Sequence, residues 1–222
     1  MPKLDQTIAR PGSLKDAAYR QIKDMLLSCG LEHDRLYSAQ HFAEMLGVSR
    51  TPVREALLQL TSEDFLVCLD VRGFKIKEFT DQEIRDVFET RTVIETYLVE
   101  RLADSIKPED VRAMEQSIAA MTACAAKEDA VGFLEADKEF HMVPVRRSGN
   151  RHLLGIMESI RNHISLYGLQ VLSHAGRYQE VIREHGAILA ALRQGDRKTA
   201  VAAVGHHLAT TRRYLVDGEP AA

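Results

Sequence analysis

The sequence predicts a mainly α-helical fold, with an N-terminal winged helix-turn-helix followed by a C-terminal antiparallel α-helical bundle. Two short helical patterns are joined by Gly47-Val48-Ser49, and two short strand patterns around a tight turn come next. This order of elements is that of a helix-turn-helix with a small β-hairpin wing. After Thr80 no strand pattern is present, and consecutive helices with short connections form a bundle. The predicted domains are residues 1–79 and 80–222.

Composition and charge limit the classes of function. The 222 residues are 45% hydrophobic and 27% charged, which is ordinary for a globular chain and long enough for two modest domains. No run of about 18 apolar residues exists and no hydrophobic segment begins the chain, so we expect a cytoplasmic protein without a membrane partner. The net charge of −3 excludes a general nucleic-acid coat, so any DNA binding must depend on locally placed arginines.

Capping residues and glycines delimit the elements of the first domain. Ser13 with Asp16 begins the first helix, and Gly47 stops the second. Gly73 suits a turn that needs a positive φ between the two strands. The predicted elements are, in order, a mobile tail at 1–12, a helix from Ser13 to about Gly30, a helix at 38–46, a recognition helix, and strands at 65–69 and 74–77.

The recognition helix has two predicted starts. Ser49 is a favourable N-cap, and Pro52 then lies in the first turn, where its missing N–H costs nothing. Because a proline disfavours helical geometry in the preceding residue, Thr51 is the alternative start. Arg50 and Arg54 lie opposite the apolar face, where arginine can pair with guanine in a major groove. The pattern alone also fits an amphipathic helix with solvated arginines.

A longer motif decides between these interpretations. The run Leu46-Gly-Val-Ser-Arg-Thr-Pro-Val-Arg-Glu-Ala-Leu57, followed by Arg72-Gly73 in the wing, resembles the N-terminal domain of the GntR family of bacterial transcription regulators. The resemblance implies a double-stranded DNA operator as partner. The positions that match the family's DNA-contacting residues are Ser49, Arg50, Thr51, Arg54 and Gly73.

Helical periodicity and capping signals divide the second domain into six helices. Thr80 and Glu83 form a capping box, Pro108 begins a helix, and glycines at 149 and 195 end two others. The predicted helices are 81–105, 109–128, 130–147, 150–173, 177–194 and 197–216.

Four polar residues fall on the apolar stripes of these helices, namely Asp137, His141, His185 and His207. His206 lies on a different face of its helix and is predicted to be solvated. A single inward histidine is usually a hydrogen-bonded core residue. Three of them with an inward aspartate, which needs a cationic partner, also suit a divalent transition metal. The pattern by itself leaves both interpretations open.

Three segments of the second domain extend the resemblance. Asp137-Lys-Glu-Phe-His141, Glu184-His185 and His207-Leu208 resemble the all-helical FCD effector domain of the FadR subfamily of GntR regulators, and six helices match its VanR-like branch. The resemblance covers roughly residues 14–216. It implies that Asp137, His141, His185 and His207 bind a metal. Imidazole and carboxylate ligands accept several metals, with zinc or nickel expected here.

Arg91 and Arg161 also fall on apolar stripes. The structural interpretations are a pair with Glu95 one turn away for Arg91, and a buried ion pair for Arg161. The functional interpretation is a clamp for a carboxylate effector, because the guanidinium fork matches that group. On this interpretation Arg161 is the better candidate.

Together these observations favour a homodimeric, ligand-responsive transcription regulator that binds an inverted-repeat operator and a small organic acid effector. Two alternatives are a regulator for which the metal itself is the signal and a metal-dependent enzyme. The enzyme is disfavoured because the sequence contains no His-Glu-x-x-His motif and no evident general base beside the ligands.

Overall fold

The computed structural model describes residues 13–27, 31–32 and 35–218. The predicted tail at 1–12 and the predicted helix end at Gly30 lie outside these residues. The chain divides into two compact units, residues 1–77 and 78–222. The predicted fold class is confirmed, with a winged helix-turn-helix in the first unit and helices alone in the described part of the second.

The described part of the first unit consists of three helices and a two-stranded hairpin. They are α1 (Leu14–Leu27), α2 (Ala39–Leu46), α3 (Arg50–Ser62), β1 (Leu66–Cys68) and β2 (Phe74–Ile76), with a 3₁₀ turn at Asp70–Arg72 between the strands. α1 and α2 both pack on α3. The fully buried side chains of this core include Ile22, Phe42, Val53, Leu57 and Leu60.

The caps of α2 and α3 explain the helix-turn-helix. The Ser38 hydroxyl accepts the backbone N–H of His41, and Gly47 ends α2 in the left-handed conformation with φ 65°. Ser49 is the N-cap residue of α3, so the alternative start at Thr51 is wrong. The Ser49 side chain makes no capping hydrogen bond and is exposed.

The wing is anchored to the segment that precedes α2. Leu66 pairs with Ile76 and Cys68 with Phe74 in an antiparallel register. Phe74 also exchanges two backbone hydrogen bonds of 2.8 Å with Tyr37, a pairing that the sequence did not predict. Gly73 has φ 128°, as predicted, and a Cβ there would lie 2.6 Å from the Tyr37 carbonyl oxygen. Only glycine fits this position without strain.

Six helices in the described part of the second unit match the predicted ones to within about three residues. They are α4 (Asp81–Ala103), α5 (Pro108–Ala125), α6 (Ala130–Arg147), α7 (Arg151–Leu172), α8 (Arg177–Arg193) and α9 (Arg197–Val216). The capping box of Thr80 and Glu83 is present at the start of α4. α5 ends earlier than predicted, and the loop that follows contains Glu128 at a positive φ of 56°.

Helix pairs enclose the core of this unit. α4 packs along α9, α5 packs against α6, and α8 packs against α9. The main apolar cluster includes Met114, Phe133, Phe140, Ile188 and Leu192. Among the described residues, no helix combines the length and apolar character needed to cross a membrane.

Candidate functional site

Four side chains from three helices converge in the core of the bundle. α6 supplies Asp137 and His141, α8 supplies His185, and α9 supplies His207. All four are buried, and one ligand atom from each lies within 4.8 Å of the others. His185 Nε2 is 3.1 Å from Asp137 Oδ1 and 3.2 Å from His141 Nε2. The structure therefore brings together the four residues predicted to bind a metal, while His206 is exposed.

The Nδ1 atom of each imidazole contacts an oxygen atom that lies outside the four-residue centre. His185 Nδ1 is 2.7 Å from the Val181 carbonyl oxygen, which can only accept, so this nitrogen carries a proton. His141 Nδ1 lies 2.6 Å from Glu95 Oε2. His207 Nδ1 lies 2.6 Å from Glu184 Oε2 in the same way. Outer hydrogen bonds of this kind select the tautomer whose Nε2 lone pair points to the centre.

Burial sets the charge of these rings. It lowers the pKa of His141 to about 3 and that of His207 to about 4, despite the opposing effect of the glutamates. Both rings are therefore neutral near pH 7, and each has only the proton on Nδ1. Burial raises the pKa of Asp137, but Arg161 and the histidines outweigh it and hold that pKa well below its usual range.

The centre thus brings together the Asp137 carboxylate and the Nε2 lone pairs of His141 and His207. Neither of these two rings has a proton on Nε2 to share with the other. A hydrogen bond can join only two of these four residues, whereas a metal ion can contact all four. Nitrogen and oxygen donors without sulfur suit zinc and nickel among the divalent transition metals. The donor set therefore fits the cofactor that the sequence predicted.

Each acidic group around the centre has its own buried arginine. Arg91 Nε donates to Glu95 Oε1 at 2.7 Å, and Arg161 pairs with Asp137. Both are the structural pairings that the sequence suggested. Burial raises the pKa of Glu95, but Arg91 and His141 outweigh it and hold that pKa below its ordinary value.

Arg177 supports the remaining glutamate and was missed by the sequence reasoning. Its two Nη atoms donate to both carboxylate oxygens of Glu184, at 2.9 and 3.3 Å, and the side chain is fully buried. The signal was spacing: the two residues are seven apart, which places them on one helix face. A chain of contacts runs from Arg177 through Glu184 to His207. It has the same order of residue types as the chain from Arg91 through Glu95 to His141.

The residues predicted to contact DNA occupy two places in the first unit. Ser49, Arg50, Thr51 and Arg54 are exposed at the N-terminal end of α3. Gly73 lies in the wing, between the 3₁₀ turn and β2. The described structure thus presents two arginines and two hydroxyls at the end of a helix that a DNA groove can admit.

A winged helix-turn-helix linked to an all-helical domain with a buried Asp/His centre is the architecture of a transcription regulator. Residues 86–210, more than half of the chain, match the FCD domain, and residues 14–76 match the bacterial regulatory proteins of the gntR family. The chain belongs to the GntR family and has an FCD domain of the FadR type, which confirms the resemblance seen in the sequence.

Known relatives cover nearly all of the chain. The uncharacterized HTH-type transcriptional regulator YdhC of Bacillus subtilis is 25% identical over 209 residues, which are 90% of this chain and 92% of YdhC. The structure of McbR/YncC from E. coli superimposes with a TM-score of 0.78 at 21% identity, over 94% of this chain and 99% of that one, so the two share a fold.

A second similar structure contains a metal. The Zn²⁺-bound FCD domain of TM0439 is 26% identical, with a TM-score of 0.53, over 64% of this chain and 97% of that domain.

Two adjacent histidines test the metal centre. We expect His207→Ala to weaken zinc binding by more than about 100-fold, because it removes a central donor, whereas a lost outer partner costs about 10–100-fold. His206→Ala should leave the affinity unchanged, because this side chain is exposed. Competition with a chromophoric chelator measures both constants. An equal loss from the two substitutions would contradict the assignment.

Two glutamates that both contact Arg177 test the outer layer. Glu184→Gln should weaken zinc binding by about 10–100-fold, because the amide no longer accepts the Nδ1 proton of His207 as a charged group. Glu180→Gln is the matched control, since Glu180 lies 2.9 Å from Arg177 and hydrogen bonds Tyr214, but is not a histidine partner. The zinc dissociation constants and the far-UV circular dichroism of both variants are compared. Equal losses would indicate a packing effect.

Proposed function

We propose that this GntR-family transcription regulator binds an inverted-repeat operator as a homodimer and responds to a small organic acid at a metal centre in its helical domain. The observation that carries the proposal is the buried centre of Asp137 and three histidines, whose lone pairs face one another. The first unit of the same chain has the fold and the exposed arginines of a DNA-binding domain. The chain thus combines a site for a small ligand with a surface for DNA.

Operator binding is assigned to the N-terminal end of α3. Arg50 and Arg54 can donate to guanine edges, and the hydroxyls of Ser49 and Thr51 can donate to phosphates. Gly73 allows the wing its tight turn. Because a two-fold dimer presents two identical recognition helices, the operator should be an inverted repeat.

The metal would be held by Asp137, His141, His185 and His207. The zinc-bound FCD domain of TM0439 supports a metal in a domain of this type. When bound, a divalent ion supplies positive charge and open coordination positions in a dry core. Glu95 and Glu184 orient two of the imidazoles, and the Val181 carbonyl orients the third.

Charge balance favours an anionic effector. The buried charged groups around the centre are three arginines and three acids, which cancel; they are Arg91, Arg161, Arg177, Glu95, Asp137 and Glu184. A divalent ion therefore leaves two uncompensated positive charges in the core, and burying these is costly without anions. A carboxylate supplies a negative charge and an oxygen ligand at once.

The contacts of Arg91 and Arg161 reverse the order in which the sequence ranks them as candidates for binding the effector. Arg161 is committed to Asp137. Arg91 uses Nε for Glu95, while its Nη2 atom is buried and has no hydrogen-bond partner among the described residues. We therefore assign carboxylate binding to Arg91 and give Arg161 the role of neutralising the aspartate ligand.

A second candidate is a regulator for which the metal is itself the signal. The two described cavities beside the centre measure only about 30 and 10 Å³, which favours a small occupant. The two functions differ in one respect: a metal sensor changes its operator affinity when the ion binds, without an organic acid.

The DNA contact is tested by removing a recognition-helix arginine. Arg54→Ala should weaken binding to a selected operator by about 1–3 kcal/mol, because a bidentate guanine contact is lost. Arg183→Ala removes the same charge from an exposed position on α8 and should have little effect. Fluorescence anisotropy at fixed salt measures both. Tight binding of a monomer to one asymmetric half-site would contradict the proposed assembly.

The response to ligand is tested by titrating the operator complex of the full-length protein. In the presence of zinc, a short organic acid should change operator affinity by about five-fold or more, and without zinc it should have no effect. By linkage, operator DNA should change the affinity for the acid by the same factor. A full response to zinc alone would favour the metal sensor. If neither zinc nor the acid changes the operator affinity, both the acid-responsive regulator and the metal sensor are ruled out.

A further inference from the structure

Two cavities adjoin the metal centre, and their walls differ in charge. The larger, of about 30 Å³, has Arg91, Asp137, His207 and Thr211 as its polar lining. The smaller, of about 10 Å³, is lined by Glu95 and His141 together with apolar side chains. About 10–15 Å³ is needed for one water molecule, so the smaller cavity leaves no room for an organic ligand. An anion would also meet the Glu95 carboxylate there.

Most polar groups in the larger cavity already have partners. Asp137 pairs with Arg161, and His207 Nδ1 bonds to Glu184. The Thr211 hydroxyl donates to the His207 backbone carbonyl at 3.0 Å and accepts from Arg177 at 2.8 Å. These contacts leave no evident group among the described lining residues to recognise a hydroxyl or a second acid on a ligand.

Arg91 is the exception. Its side chain is 1% exposed, it lines the larger cavity, and its Nη2 atom has no hydrogen-bond partner among the described residues. Leaving a charged donor buried without a partner is costly. An acceptor from outside the chain would relieve that cost, and a carboxylate is the natural complement of a guanidinium.

The rest of the described wall is hydrocarbon. It is formed by Phe133, Leu134, Ile164, Val171, Leu172 and Val181. A ligand with one carboxylate at Arg91 must place its remaining atoms against these side chains. A hydroxyl or a second carboxylate would lose its hydration there without a replacement hydrogen bond.

We propose that the effector is an alkyl monocarboxylate of about two to four carbons, matched to a cavity that holds about two water molecules. This inference rests on the proposed function and narrows its ligand class. The acid binds with its carboxylate at Arg91 beside the metal centre and its alkyl group on the apolar wall. Dicarboxylates and hydroxy acids of the same length are rejected because the described lining residues offer them no partner.

Leu134 sets the length of the acid. It packs so closely against Gly168 that a Cβ added to that glycine would collide with its side chain. Leu134→Ala should open the space between α6 and α7 without removing a charged group. Leu98→Ala is the matched control, because Leu98 lines the smaller cavity and its truncation leaves the larger wall intact.

Calorimetry on the full-length, zinc-loaded protein tests the proposal with acetate, propionate, butyrate, hexanoate, lactate and succinate. Propionate or butyrate should bind most tightly, and lactate and succinate at least ten-fold more weakly. Arg91→Lys, which keeps a cation beside Glu95, should weaken every acid at least ten-fold while the zinc content stays at one per chain. Leu134→Ala should shift the optimum to hexanoate, and Leu98→Ala should not.

Two results would overturn the inference. Tighter binding of lactate or succinate than of propionate would refute the alkyl class, while the metal-dependent acid response would still stand. An unchanged order of acids in Leu134→Ala would refute the assigned cavity. If no acid produces heat and none alters operator affinity, the proposed function itself fails, which separates the two failures.

Discussion

The central constraint on this fold is the burial of one carboxylate and three imidazoles around one point. One ligand atom from each of Asp137, His141, His185 and His207 lies within 4.8 Å of the others in the core of the bundle. An acceptor buried without a donor costs free energy comparable to a lost hydrogen bond. The outer partners of the histidines do not remove this cost, because they contact the Nδ1 atoms, and Arg161 pairs with Asp137 alone. A cation at the centre would contact all four residues.

The same constraint explains why so much charge lies inside a small bundle. Removing one member of a buried ion pair costs about 3–5 kcal/mol, so each acid near the centre is retained with its arginine. The glutamates also join helices through the histidines: Glu95 ties α4 to α6 through His141, and Glu184 ties α8 to α9 through His207. α4 begins at Asp81, only a few residues after the first unit ends. Glu95 thus links the centre to α4, the helix that follows the first unit in the chain.

Much of this arrangement could be predicted from local sequence. Helix ends are visible as caps, such as Thr80 with Glu83, and a period of 3.6 residues identifies which side chains face inward. That reasoning located the four inward polar residues. The partners across helices were harder, because periodicity gives the face of a helix but not its register against a neighbour. The His141–Glu95 and His207–Glu184 contacts both depend on such registers.

X-ray absorption spectroscopy of the zinc-loaded, full-length protein tests the central claim most directly. Three imidazole nitrogens and at least one oxygen should surround the metal at about 2.0–2.2 Å, and the spectrum should contain multiple-scattering features from histidine. The first shell should lose one imidazole when His185 is replaced by alanine. A sulfur ligand, a shell of water oxygens without imidazole, or a spectrum unaffected by that substitution would contradict the account.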